Sequence, residues 1–528
     1  MQSARFVAAA AILVVGHFAA ACHKRCESGF ISVGGNCVNY SDSDGGPRMR
    51  PPGYDGGMRD GGPLRDGGPP RDGGPPRDAG PRRDAGGGVI DGGPATFGRI
   101  LVRAASVLPM DGQTMEISPG EVLIVDDVIE CVGGEGVCNA TGATVIQTSG
   151  VLIPGLVDPH NHVAYNWLPE WESGRQWADH TEWQGSSAYR DFVTPYRENS
   201  GVAPAFCAMV QWGEIRALVN GTTTIFGTPQ PRVCYRWLVR NAELTSQYSG
   251  WDDDRMRSNT LGIDTVDQMD ADDIIMEMQL GETTAYMIHL AEGLSTRARE
   301  EYLDLVAFGL LRPETVIIHG TALTPADFVD VGNAGSKLVW SPSSNFALYG
   351  DTTDVQAAMN AGVSVSIAPD WTPSGADDVL HELRAAKATA DQRWPGLFSD
   401  DDYLAMSTIV PAAQMAVDNW VGSIEPGKYA DLVLLDVDPA SPYAAVLGAQ
   451  PQDIRLVFLN GIPSYGDPQI LGALAETPPM CFELDACGVV RNGCWERPPD
   501  GTEVDPNMIA QVIQGFYGPG PFTLFDCQ

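Results

Sequence analysis

The sequence predicts an α/β protein built on one TIM-like (β/α)8 barrel, and three observations predict it. Strand-like and helix-like segments alternate for about 270 residues, the signature of repeated βα units, and that length suits one barrel of eight. Within the stretch four apolar runs finish on ionisable residues: His160 with His162, His289, His319 and Asp370. Short strand-like runs without long intervening helices flank it on both sides, in residues 99–147 and 422–463.

The segments before the barrel carry no core. In residues 1–22, Arg5 precedes an apolar run over residues 6–15 and a small-residue stretch ending at Cys22, the order of a secretory signal. The run is too short to span a bilayer. Ala19, Ala20, Ala21 and Cys22 resemble the lipobox of bacterial lipoproteins, with Ala19 where Leu is usual. The expectation is export to the periplasm or cell surface, with a lipid on Cys22 as the one membrane link. Residues 23–40 hold a short module with Cys26 and Cys37, and residues 41–96 repeat an Arg-Asp-Gly-Gly-Pro-Pro unit. Nine Asp against eight Arg leave residues 41–93 nearly neutral, so this tract reads as a solvated linker. The formal net charge of −35, from 33 Lys plus Arg against 68 Asp plus Glu, therefore belongs to the body after it. Such a field repels phosphate backbones, which excludes nucleic acid as a partner. Of eleven cysteines, ten remain once Cys22 is set aside, enough for five disulfides in an oxidising compartment, their pairing open.

Residues 97–150 read as short strands, and residues 151–420 as the barrel. VLIPGLVDPHNH (151–162) is an apolar strand ending in His160 and His162, whose side chains, two apart, face one way. AYMIHLAEG ends in His289 with Glu292 three residues on, TVIIHG ends in His319, and VSVSIAPD ends in Asp370. His289 to His319 is 30 residues, one βα unit, and His319 to Asp370 is 51, two units with the strand KLVWSP between them. In a barrel such strand ends meet at the mouth where active sites lie. Three imidazoles and a carboxylate suit Zn(II) or Fe(II), with room for a water. Residues 421–470 return to short strands, and residues 471–528 form an extension carrying Cys481, Cys487, Cys494 and Cys527.

PGLVDPHNH, HLAEG, His319, SPSSN (341–345), Asp370 and GSIEPGKYADLVLLD, in that order, together resemble the amidohydrolase superfamily. More narrowly they resemble its mononuclear cytosine deaminase, guanine deaminase and imidazolonepropionase-like members, over residues 97–465. The resemblance implies a small β-sandwich built from both ends of the catalytic region, residues 97–150 and 421–470. It implies one divalent metal, zinc ahead of iron, on His160, His162, His289 and Asp370. It also implies roles for Glu292, His319 and Asp370: Asp370 takes the proton of an activated water, Glu292 passes one to the leaving nitrogen, and His319 stabilises the developing oxyanion. The implied reaction is hydrolysis of a non-peptide carbon–nitrogen bond, by deaminating a cyclic amidine or opening a cyclic amide. None of Lys24, Lys337, Lys387 and Lys428 is placed to bridge two metals as a carbamate, so a single ion is expected. The alternative is a surface-anchored lipoprotein that keeps the barrel for ligand binding without turnover.

Two features bear on substrate. Pro369 precedes Asp370 where the compared deaminases carry a small or hydroxyl residue, and Pro369 with Trp371 reshapes that rim, so a purine or pyrimidine substrate is not carried over. The insertion at residues 166–190 packs Trp167, Trp171, Trp177 and Trp183 with Arg175, His180, Glu182 and Arg190, and it is expected to roof the site. It predicts a cyclic or aromatic small molecule, with Arg175 or Arg190 for a carboxylate or carbonyl, or else a loop that simply packs on the barrel. His180 and His381 read as structural, and Ser344 with Asn345 as shaping the turn after the seventh strand.

Overall fold

The computed structural model describes residues 30–33, 36–39, 98–201, 204–227, 238–244, 255–260, 262–474, 480–495, 504–520 and 522–527. The expected signal segment, Cys22, Cys26 and the linker lie outside the described residues. Eight strands surround the centre: β1 (Leu156–Asp158), β2 (Thr222–Ile225), β3 (Arg240–Asn241), β4 (Met256–Asn259), β5 (Ala285–Leu290), β6 (Thr315–His319), β7 (Lys337–Trp340) and β8 (Val365–Ile367). All their pairings are parallel. Helices Gln268–Leu280, Thr296–Ala307, Pro325–Ala334, Pro342–Tyr349 and Val379–Arg393 follow β4 to β8. This is the alternation of a TIM-like fold. The ladder is not closed, however: β1 to β3 form one sheet and β4 to β8 another. Among the described residues the chain beyond β1 meets the chain beyond β8 at a single parallel bridge, Asn161 to Asp370.

Strands covered on both faces read as continuous apolar runs. Met287, Val316, Ile318 and Val339 fill the interior with Val157 and Phe226, while Tyr286, Ile288, Ile317 and Leu338 join the larger core under the helices. Local signals set the helix ends: Ser295 and Asp378 accept the N–H of Ala298 and His381, and Thr324 with Asp327 closes a capping box.

Two further sheets flank the barrel strands. One orders Met480–Ala486, Val489–Trp495, Ile462–Gly466, Ile454–Leu459, Leu432–Leu435, Val151–Pro154 and Ser106–Val107; the other orders Val128–Gly134, Gly120–Val125, Arg99–Ala104 and Ala143–Gln147. They share a core in which Ile100, Val102, Val122 and Ile124 meet Leu152, Leu432, Leu434 and Phe458. The apolar run at residues 151–162 is thus two strands and not one. Val151–Pro154 pairs with Leu432–Leu435, and the chain crosses at Gly155 into β1, which pairs with β2. A single apolar run conceals the break because both halves are fully buried.

Cysteines pair as Cys131–Cys138, Cys481–Cys494 and Cys487–Cys527. The hairpin of Met480–Ala486 and Val489–Trp495 extends the larger flanking sheet through Tyr465 and Gly466. Beyond it the helix Pro506–Tyr517 brings Phe516 and Tyr517 against Trp167.

Candidate active site

The site lies at the C-terminal ends of the barrel strands, where each functional residue sits at or just past a strand. His160 and His162 follow β1 in an irregular turn, so their convergence does not come from strand alternation. It comes from clamping: Asn161 N donates to Phe226 O at 2.9 Å and Asp370 N donates to His160 O at 3.1 Å. Gly227 permits this approach, since a Cβ there would fall 1.6 Å from Asn161 O. Asp158, buried at the end of β1, accepts the N–H of His160 at 3.1 Å and Asn161 Nδ2 at 2.6 Å. Burial pushes its carboxyl up to about 8. Three non-glycine residues adopt left-handed backbone here, Ala291, His319 and Asp370, with φ of 54°, 71° and 68°. Such conformations cost ~1–3 kcal/mol each and gather where function demands them.

The imidazoles and one carboxylate face each other. His160 Nε2 is 3.0 Å from His289 Nε2 and 3.1 Å from Asp370 Oδ1, which is 3.3 Å from His162 Nε2. His160, His162 and Asp370 form one set able to hold a cation, and His160, His289 and His319 a second that shares His160. Burial lowers the pKa of His160, and burial with the neighbouring imidazoles lowers that of His289 well below the ordinary histidine value. Both rings are therefore neutral, the form in which an imidazole can ligate a metal. Burial alone would raise Asp370, but His160 and His162 hold its carboxyl well below the usual range. Converging lone pairs of neutral nitrogens with an ionised oxygen fit a divalent ion of the zinc or iron type.

The helix Pro342–Tyr349 supports these groups from behind. Ser341, at its start, lies 3.0 Å from His160 Nδ1, and Ser344 Oγ donates to Asp370 Oδ2 at 2.6 Å. Asn345 Oδ1 lies 3.1 Å from His319 Nδ1. Thr353 Oγ1 gives its proton to His319 O at 2.6 Å, so it must accept from Asn345 Nδ2 at 3.3 Å. That fixes the amide: Asn345 Oδ1 accepts, the proton of His319 sits on Nδ1, and Nε2 presents a lone pair. Burial and the nearby His160 push His319 down to about 3. A neutral ring in this tautomer accepts at Nε2, which differs from the expected donation to an oxyanion. Ser344 and Asn345 are helical and do not shape a turn.

Glu292 stands 3.8 Å from His319 Nε2 and accepts from Tyr349 OH at 2.5 Å. Burial pushes its carboxyl up to about 7, against the opposing influence of His180 and of that hydrogen bond. The next residue, Gly293, has φ 133°, and a Cβ there would lie 2.4 Å from Asp179 Cα. Through this contact the Trp-rich insertion rests on the loop after β5. His180 N donates to Glu292 O at 3.1 Å and Leu294 N to Ala178 O at 2.8 Å. His180 is buried and hydrogen-bonded to Glu301 at 2.6 Å. Burial opposes its charge, yet Glu301, Glu292 and Asp179 raise it to about 9.

His162, His289, Glu292, His319 and Asp370 open onto a cleft walled by Tyr165, Trp183, Tyr189 and Trp371. A concave site with aromatic walls and a few converging polar groups suits a small molecule. Only Trp183 of the four inserted tryptophans lines it; Trp177 packs beside it in an aromatic cluster and Trp167 meets the C-terminal helix. Arg175 pairs with Glu182 and covers the Trp177 ring, and Arg190 donates to Gly185 O at 2.6 Å. Neither arginine reaches the cleft wall. His381 lies 3.2 Å from Asp526, away from the site. Ser341 and Tyr349 are not marked by the sequence alone, although 341, 344, 345 and 349 recur on one helical face after β7.

This arrangement defines a class, the metal-dependent hydrolases of non-peptide carbon–nitrogen bonds. Comparison with known proteins agrees with it. The Amidohydrolase family model matches residues 263–462. A 5-methylthioadenosine/S-adenosylhomocysteine deaminase of Symbiobacterium thermophilum is 25% identical over 414 residues, 70% of this chain and 94% of that protein. A zinc-bound adenosine deaminase from Xanthomonas campestris superposes with a TM-score of 0.56 at 19% identity, over 69% of this chain and 92% of its own. Atrazine chlorohydrolase from Arthrobacter aurescens TC1, complexed with zinc, gives 0.56 at 17% identity, over 69% and 94%. The chain thus carries an Amidohydrolase family match over residues 263–462 and is similar to deaminases over about 70% of its length.

Proposed function

We propose that the protein is a deaminase that removes the exocyclic amino group of a planar, heteroaromatic or cyclic amidine substrate as ammonia. The observation that carries this is the placement of Glu292, with its raised pKa, beside the His160, His162, His289 and Asp370 cluster in an aromatic-walled cleft. Those four residues would hold one divalent ion, zinc ahead of iron; when bound, it lowers the pKa of a water towards ~7 and polarises the carbon under attack. Asp370, ionised and anchored by Ser344, takes up a proton from the attacking water. Glu292, near half-protonated at neutral pH, gives one to the leaving nitrogen. His319 Nε2 accepts a hydrogen bond at the reacting centre, and Trp183 with Trp371 provides faces on which a flat ring stacks. That curated relatives carry deaminase names supports this reading over ring opening.

The same reading takes the eight parallel strands as a closed barrel and the two flanking sheets as its β-sandwich, assembled from residues 97–150 and 421–470 around a barrel of residues 151–420. It also takes the chain as exported and lipid-anchored at Cys22, supported by three disulfides that an oxidising compartment would preserve.

The test is metal analysis and ammonia release on the protein from about residue 97 onward, with a His160→Ala, His162→Ala double variant beside it. One zinc or iron per chain, lost in the double variant, with ammonia released from aminated heterocycles such as 5-methylthioadenosine or aminotriazines, is the expected result. Hydrolysis of cyclic amides without ammonia would replace deamination by ring opening. Metal bound without turnover of either substrate class would overturn the reading.

A further inference from the structure

Helix Pro342–Tyr349 touches a different group of the site at each inward position, and its last residue has no counterpart among the roles assigned so far. Tyr349 is buried and packs in the cluster of Trp177, Trp183, Leu348 and Trp371. Its hydroxyl lies 2.5 Å from Glu292 Oε1 and 2.8 Å from Trp183 Nε1. An indole N–H can only donate. The tyrosine oxygen therefore accepts from Trp183, and its own proton is committed to Glu292.

We propose that Tyr349 is a positioning residue for Glu292: with Trp183 it holds Oε1 as an acceptor, 3.8 Å from His319 Nε2, and so fixes the orientation of the carboxyl and which of its oxygens carries the proton in turnover. This rests on the reading of Glu292 as the proton shuttle. The chain of donors runs one way, from Trp183 to Tyr349 to Glu292, and it starts on a residue that walls the cleft. A flat ring stacked on Trp183 and the orientation of the shuttle carboxyl are thereby linked through one hydroxyl. Without the phenol, Glu292 keeps its place after β5 but can rotate, and its proton can sit on either oxygen.

Two measurements on the zinc-loaded full chain test this. In infrared difference spectra, the carboxyl or carboxylate band of Glu292 is assigned by its loss in Glu292→Gln. Tyr349→Phe is expected to shift that band, Trp183→Phe to shift it less, and the double variant to shift it no further than Tyr349→Phe alone. A band left at its wild-type position in Tyr349→Phe overturns the proposal. In steady-state ammonia release, Tyr349→Phe is expected to lower kcat about tenfold while KM changes less than about threefold. An unchanged kcat with only a lower Tm would show a structural residue and also overturn it. If the wild-type protein deaminates nothing offered, the functional reading fails while the infrared comparison still decides this one.

Discussion

Glu292 is a buried acid placed to donate, and its surroundings determine how it titrates. Burial raises it from 4.5 to about 7 in the protein without metal. A folded-state pKa above the unfolded one means that the folded state holds the proton more tightly. Its contribution to stability is complete below pH 4.5 and is lost as pH rises towards about 7. In the metal-stripped protein, Glu292→Gln should be neutral near pH 4 and stabilising above pH 7, by ~3 kcal/mol, read from denaturant midpoints at both pH values. In the zinc-loaded enzyme the same change should cut turnover by ~10²–10⁴ with full metal content, as removal of a general acid does; a fully active variant would refute the shuttle role. These residues were legible in the sequence because ionisable groups closing apolar runs are rare, and β-strand ends in a barrel converge. Tyr349 was not, since it meets Glu292 across 57 residues and Trp183 across 166, and nothing local marks such a pairing.

Helix Pro342–Tyr349 does at the level of an element what no single residue could: one rigid face fixes His160, Asp370, His319 and Glu292 together. Asn345 is its most informative member, because its amide is oriented by Thr353 and in turn sets the tautomer of His319. Asn345→Ala should free the His319 ring to carry its proton on either nitrogen. Turnover is expected to fall about tenfold at unchanged metal content, since His160, His162, His289 and Asp370 are untouched. Steady-state kinetics beside elemental analysis checks it, and loss of metal in Asn345→Ala would place His319 among the ligands. The alternation of strands and helices is legible in the sequence, but at Ser344 and Asn345 the sequence reads as a turn where the structure has this helix. SPSSN is rich in turn-forming residues, and only the tertiary partners of Ser344 and Asn345 make the helix the preferred state. The break at Gly155 is hidden for the converse reason: Val151–Pro154 and Leu156–Asp158 are equally apolar because each is fully buried, in a different sheet.

Across the whole molecule, the C-terminal extension returns to the barrel and closes over the root of the insertion. The hairpin ending at Trp495 joins the flanking sheet, the helix Pro506–Tyr517 packs Phe516 and Tyr517 on Trp167, and Asn220 Nδ2 donates to Leu524 O at 2.8 Å. Asp526 approaches His381, and Cys527 is bonded to Cys487 across 40 residues. Trp167 lies five residues past His162, so the tail supports the loop that leaves the ligand pair. The disulfide limits the unfolded chain, and a loop of that length is worth ~2–4 kcal/mol. A Cys487→Ser, Cys527→Ser variant should lose about that much stability and show Trp167 becoming more exposed, as a red shift in tryptophan emission. Metal content should stay at the wild-type level, because the proposed ligands stand on β5 or just past β1 and β8 and are clamped through Asn161 and Asp370. Loss of metal in that variant would mean instead that the tail holds His160 and His162 in place, and that the roof and the metal ligands form a single cooperative unit.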